Sequence, residues 1–97
     1  IVEFIPPKCD YWMIALHNHW METLDYRYHQ IALNNATAIA AADGSIRCVV
    51  AHRDPGVANW LDLAGHTNSV LGVRWVGSHI EGTVVPSTRV VTFDSLK

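Results

Sequence analysis

Two histidines placed two residues apart are the feature of this chain most suggestive of chemistry. His17 and His19 stand in the stretch LHNHW, at the end of an apolar run. On a strand, residues i and i+2 share a face with backbones about 7 Å apart, a spacing that can chelate a metal. With His52 they could form an open three-nitrogen site for a divalent ion such as zinc. The alternative, which we favour, needs no cofactor: the histidines hydrogen-bond to backbone or water near a strand end.

A second group of side chains could bind a small molecule. It consists of Arg53, Asp54, Asn59, Trp60, Arg74 and Trp75. In one hypothesis, the two tryptophans wall a pocket in which Arg74 holds an acidic group. In the other, which we favour, the loop containing Asn59 and Trp60 is a latch over the open end of the fold. Asn59 would then satisfy loop backbone groups, and Trp60 would be an apolar plug whose indole N–H needs an acceptor.

Charge and cysteine usage exclude several functional classes. The seven basic residues are scattered singly along a chain of net charge −2, so no basic stripe exists for nucleic acid to follow. No uninterrupted apolar window reaches the length of a membrane span. Cys9 and Cys48 are predicted to be free thiols rather than a disulfide. Cys48 and His52 lie about 13 Å apart on a predicted strand, too far for proton transfer, and no catalytic residue is assigned.

The surface composition favours contact with a neighbour. Charged residues make up 16% of the 97 residues, against a usual value of about 25%. A domain so short of charge often covers part of its surface with another domain or a second copy. The length allows one core and hence one domain over 1–97. Because the first residue is Ile1, we expect this domain to be the C-terminal part of a longer protein.

Period-2 patterning predicts an all-β fold. Strands are expected at 2–5, 11–19, 26–33, 46–52, 69–76 and 88–93, with at most one or two helical turns, one of them within GVANWLDLAG at 56–65. The stretch 26–33 also fits a helix, because Trp20, Leu24, Tyr28 and Ile31 fall near helical spacing. Since no long helical crossover is available to make strands parallel, the predicted architecture is an antiparallel, jelly-roll-like β-sandwich. Tyr11 to His19 is apolar on both faces at first, which indicates a central strand.

The stretch from 42 to 76 resembles the C-terminal part of an uncharacterised family, the domains of unknown function numbered 1214. The resemblance rests on the order and spacing of short motifs: Tyr11-Trp12, Asp43-Gly44-Ser45, Pro55, Asn59-Trp60-Leu61, Gly65 and Arg74-Trp75. It covers about Tyr11 to Pro86. It implies a jelly-roll-like sandwich that follows another uncharacterised domain, and it implies no reaction. Function is therefore expected to be that of an accessory domain; the alternative is a metal-dependent or small-molecule-binding enzyme with a pocket near His17, His19, His52 and Trp60.

Overall fold

The chain folds almost entirely into β-structure, as the patterning predicts. The computed structural model describes residues 1–79 and 82–96. Its elements are β1 (Val2–Phe4), β2 (Tyr11–His17), β3 (Ala32–Asn34), β4 (Ile46–Ala51), β5 (Trp60–Asp62), β6 (Val70–Val76), β7 (Ser87–Thr88) and a short 3-10 helix (Phe93–Leu96). No helix in these two ranges is long and apolar enough to cross a membrane. The prediction of an all-β domain is confirmed.

Two sheets pack face to face to form a sandwich. Sheet A has the strand order β5-β4-β1-β7, and sheet B has the order β3-β2-β6. In sheet B, β2 lies between its two partners and pairs with β6 along seven residues, from Tyr11 opposite Val76 to His17 opposite Val70. The predicted central position of this strand is confirmed.

The alternation of side chains along β2 and β4 builds the core. Trp12, Ile14 and Leu16 of β2 are buried between the sheets, and Ile46 and Cys48 of β4 belong to the same cluster. Each fully buried aliphatic or aromatic side chain of this kind stabilises the fold by about 1.5–3 kcal/mol. Residues at the intervening positions of β2 lie on the outer face of sheet B, because successive strand side chains point to opposite sides.

Aromatic rings close one part of this core. Phe4 meets Trp12 edge to face, with ring centroids 5.2 Å apart, and its ring also lies 5.5 Å from that of Trp75. Edge-to-face pairs are favoured by the charge distribution of the rings and add about 0.5–1.5 kcal/mol beyond the area they bury. Trp75 is half-buried and packs against the core through this contact.

The third and last predicted strands are much shorter than expected. From 26–33, only Ala32 and Leu33 become part of β3, because the side chain of Asp25 accepts a hydrogen bond from the Arg27 amide (3.1 Å) and turns the chain. From 88–93, only Thr88 lies in a strand, and Val90 is fully exposed. The β-branched residues of 88–93 fit a strand by composition, whereas Ile31 and Leu33 of the first stretch are buried in the core although the chain before Ala32 is not a strand.

The stretch at 56–65 forms β5 rather than a helical turn. Asn59 and Gly56 both have positive φ values, 62° and 75°, which break a helix before it starts. β5 then pairs with β4 in parallel, with Val49 opposite Trp60 and Ala51 opposite Asp62. This one pair departs from the expected antiparallel arrangement. The eight residues between the strands can return the chain because β5 is only three residues, about 10 Å, long.

Candidate functional site

The structure does not bring the three predicted metal ligands together. His17 is the last residue of β2, His19 lies beyond that strand, and His52 follows β4 in the other sheet. Within 1–79 and 82–96, no three His, Cys, Asp or Glu side chains form a group that could hold a metal ion.

The spacing argument fails because β2 ends at His17, two residues before His19. The Asn18 side chain accepts hydrogen bonds from the amides of Trp20 (2.9 Å) and Glu22 (3.0 Å), and this turn takes His19 out of the strand. The His19 ring instead lies 4.9 Å from that of Trp20, with both residues exposed. Asparagine and aspartate commonly form such turns, in which their side chains replace strand hydrogen bonds.

Asn59 holds the loop between β4 and β5 in place. Its side-chain oxygen accepts from the Ile39 amide (2.8 Å), and its side-chain nitrogen donates to the carbonyls of Ile39 (2.7 Å) and Arg47 (3.1 Å). Next to it, the Trp60 indole N–H donates to the Ala51 carbonyl (3.1 Å). These contacts are those that the latch hypothesis assigns to the two residues.

The other members of the predicted pocket are distributed over separate places. Trp60 lies at the edge of sheet A, whereas Arg74 and Trp75 lie on β6 in sheet B and, as neighbours on a strand, point to opposite faces. Arg53 stacks its guanidinium 4.0 Å above the Phe93 ring. Asp54 accepts a hydrogen bond from the Gly56 amide (2.8 Å) and shapes the turn. The six residues therefore do not share one cavity.

A carboxylate–imidazole pair that the sequence analysis missed joins two distant segments. His29 Nδ1 lies 2.7 Å from Asp62 Oδ2, and the Ala64 amide donates to Asp62 Oδ1 (2.8 Å). Burial alone would raise the pKa of Asp62, but the hydrogen bonds from His29 and Ala64 outweigh it and the pKa is lowered. The partners are 33 residues apart and no local pattern marks them. With one imidazole and one carboxylate, the pair ties the loop before β3 to β5.

Both cysteines are free thiols. Cys48 is fully buried in the core and Cys9 is half-buried. Burial raises the pKa of the Cys48 thiol to about 11, so it stays protonated and a poor nucleophile at neutral pH.

An apolar groove lies beside the C-terminal end of β4. It has a volume of about 570 Å³ and lies between the end of β4 and the segment 89–96; we call it the Val90 groove. Its lining is Ile1, Val49, Val50, Ala51, Val90, Val91, Phe93 and Leu96, with His52, Arg53 and Arg89 as the polar members. Arg89 pairs with Glu3, whereas Arg53 lies over Phe93. The groove thus offers an apolar floor with basic residues beside it.

Comparison with known proteins gives one strong structural similarity. No protein-family model matches the chain, and no curated protein matches it. The crystal structure of an uncharacterized protein from Burkholderia cenocepacia is similar, with a TM-score of 0.87 and 43% sequence identity over 97% of this chain. The similar region is 26% of that protein, so the present chain spans about a quarter of its length.

Proposed function

We propose that this chain is a non-catalytic accessory β-sandwich that packs against another part of a longer polypeptide through the Val90 groove. The observation that carries the proposal is the apolar lining of that groove, with Val90 fully exposed at its side. Exposed apolar surface gathered in one concave place is typical of a contact site, whereas scattered apolar residues are not.

The dimensions of the groove fit a protein segment. Its volume of about 570 Å³ exceeds that of a single large side chain, and it is an open groove whose walls are the end of β4 and the segment 89–96, which ends in the 3-10 helix. An apolar segment seated there would bury Val90 and Val91, and each fully buried valine adds about 1.5 kcal/mol or more. Arg53 and His52 beside the groove favour a segment with an acidic residue at its flank.

The similarity to a much longer protein supports a packed domain. A region equivalent to this chain accounts for 26% of the Burkholderia cenocepacia protein, so a domain of this type occurs with other protein mass attached to it. The low charge content of the chain is consistent with a surface that is partly covered. Membership of the 1214 family and jelly-roll connectivity belong to the same proposal.

Two matched valine variants test the proposal. Val90→Asp places a charge in the groove, whereas Val85→Asp places the same charge at another exposed valine that does not line it. Neither should change the unfolding free energy of the isolated chain by more than about 0.5 kcal/mol, because both side chains are exposed. In the longer polypeptide, we expect Val90→Asp alone to lower the melting temperature and accelerate hydrogen exchange at 89–96.

Two results would contradict the proposal. One is equal behaviour of the two variants in the longer polypeptide. The other is concentration-dependent self-association of the isolated chain in analytical ultracentrifugation that Val90→Asp abolishes, which would assign the groove to a second copy instead.

A further inference from the structure

We propose that the outer face of sheet B carries a binding site for a small organic monocarboxylate, with His17 and Arg74 contacting its oxygens. The site is a cavity of about 150 Å³ on the opposite side of the sandwich from the Val90 groove. It is independent of the accessory role proposed above. We call it the His17 pocket.

The floor of the His17 pocket is made by two small residues in register. Ala15 of β2 lies opposite Gly72 of β6, and both line the cavity. The rows on either side carry larger side chains: Met13 opposite Arg74 in one direction and His17 in the other. A row of small residues between two rows of large ones leaves a depression in an otherwise flat sheet face.

The imidazole of His17 lies in the space that a side chain at Gly72 would fill. A Cβ atom at Gly72 would lie 3.1 Å from His17 Cε1, closer than ordinary van der Waals contact allows. The ring of His17 therefore leans across β6 at the one place where the neighbouring strand has no side chain. This brings it over the floor of the pocket and toward the row that contains Arg74.

Two polar groups of the pocket have no partner among residues 1–79 and 82–96. His17 Nδ1 is buried and makes no hydrogen bond, the one such side-chain atom in the described part of the chain. The ion pairs among residues 1–79 and 82–96 join Arg27 with Asp25, His29 with Asp62 and Arg89 with Glu3, and none involves Arg74. Buried polar atoms are normally paired, so an imidazole with one unsatisfied nitrogen beside a cavity gains a hydrogen bond if its ring turns that nitrogen toward a ligand oxygen.

The chemistry of the lining selects a carboxylate. A guanidinium presents a planar fork of donors that matches two carboxylate oxygens, and an imidazole N–H adds a further donor. None of the lining residues is acidic, so an anion is favoured over a cation. Met13 and Met21 supply flexible apolar surface for a short carbon chain. Because one water occupies about 30 Å³ of liquid, the volume suits a ligand of roughly four to six heavy atoms, such as butyrate.

Titration of the chain with sodium butyrate, followed by NMR of the imidazole nitrogens, tests the site. We expect saturable shifts at His17 with a dissociation constant in the millimolar range, and none at His19, which is exposed and lies beyond the strand end. Butyramide, which has the same shape without the charge, should give no saturable shift. Arg74→Ala should weaken butyrate binding by about tenfold or more, since it removes a charge-assisted contact.

Further variants separate the site from its surroundings. Arg74→Lys keeps the charge and loses the fork, so binding should fall between wild type and Arg74→Ala. Gly72→Ala displaces the His17 ring and should weaken binding with Arg74 intact. Arg27→Ala removes another exposed arginine and Val90→Asp alters the other face, and neither should change butyrate binding. Saturable binding of butyramide, unchanged affinity in Arg74→Ala, or no saturable shift at His17 would each overturn the proposal.

Discussion

Replacing Asn59 tests the hydrogen-bonded loop between β4 and β5. Asn59 is buried and its side chain makes three hydrogen bonds, of 2.7, 2.8 and 3.1 Å, to backbone groups of Ile39 and Arg47. At about 1 kcal/mol net for each bond, their loss costs about 3 kcal/mol. Its φ of 62° lies in the left-handed region, where alanine is disfavoured by about 1 kcal/mol more. Asn59→Ala should therefore lower the unfolding free energy by about 4 kcal/mol.

A second substitution separates the two contributions. Asn59→Gly loses the same hydrogen bonds but tolerates the positive φ, so its cost should be about 3 kcal/mol. The exposed Asn35 provides the control, and Asn35→Ala should stay within about 0.5 kcal/mol of wild type. Urea unfolding followed by tryptophan fluorescence measures all three variants. A cost below about 1 kcal/mol for Asn59→Ala, or a larger cost for glycine than for alanine, would refute the reasoning.

Three further outcomes follow from the same contacts. The folded state holds the pKa of Asp62 below its ordinary value, so this group stabilises the fold above about pH 4 and loses that effect as the pH falls through the lowered folded value. Asp62→Asn should thus unfold with a shallower acid dependence in urea titrations from about pH 6 to about pH 2; an unchanged slope would contradict this. Cys48 is buried and its pKa is raised to about 11, so it should react with an aromatic disulfide reagent only on unfolding. The half-buried Cys9 should react in the folded chain. Rapid reaction of both thiols in the folded chain would disprove the burial of Cys48. Trp60→Phe loses the hydrogen bond to the Ala51 carbonyl and should lower the free energy of unfolding by about 1 kcal/mol. Trp60→Ala should lower it by about 2–3 kcal/mol, because the ring is only half-buried. Equal losses for the two variants would be inconsistent with these contacts.

The long strands could be predicted because their own sequences contain the information. In β2 and β4, core-facing residues recur at every second position, although Ala15 and Val49 on the other face are buried as well, and the observed bounds fall within two residues of the predicted ends. Alternation also placed Trp12, Ile14 and Leu16 on one face. β6, whose residues are half-buried or exposed, begins one residue later than predicted.

The short strands depend on partners far away in the sequence. β5 is three residues long and forms only because Asn59 and the end of β4 hold it, so its own stretch carried a mixed signal. The predicted strand at 88–93 has the composition of a strand, but its backbone pairing ends where Arg89 meets Ile1, and the chain then forms the 3-10 helix. The residue pattern within one segment does not show whether another strand is available to pair with it.

The candidate sites likewise depend on contacts that local sequence patterns do not contain. His17 and His19 were paired by their spacing, but the Asn18 turn separates them. Strand register places His17 and Arg74 in the lining of one pocket, and loop packing brings His29 to Asp62. Sequence alone suggested each of His17 and Arg74 as a site residue, but it offered no means of combining them.

Hydrogen exchange at the Val90 groove tests the accessory role most directly. Amides of 89–96 should exchange rapidly in the isolated chain apart from those of Arg89 and Ser95, which donate to the carbonyls of Ile1 (3.0 Å) and Thr92 (3.2 Å). The account predicts that the same amides become strongly protected when the domain is part of the longer polypeptide, and that Val90→Asp removes this protection. Equal exchange of 89–96 in the isolated and embedded domains would contradict it.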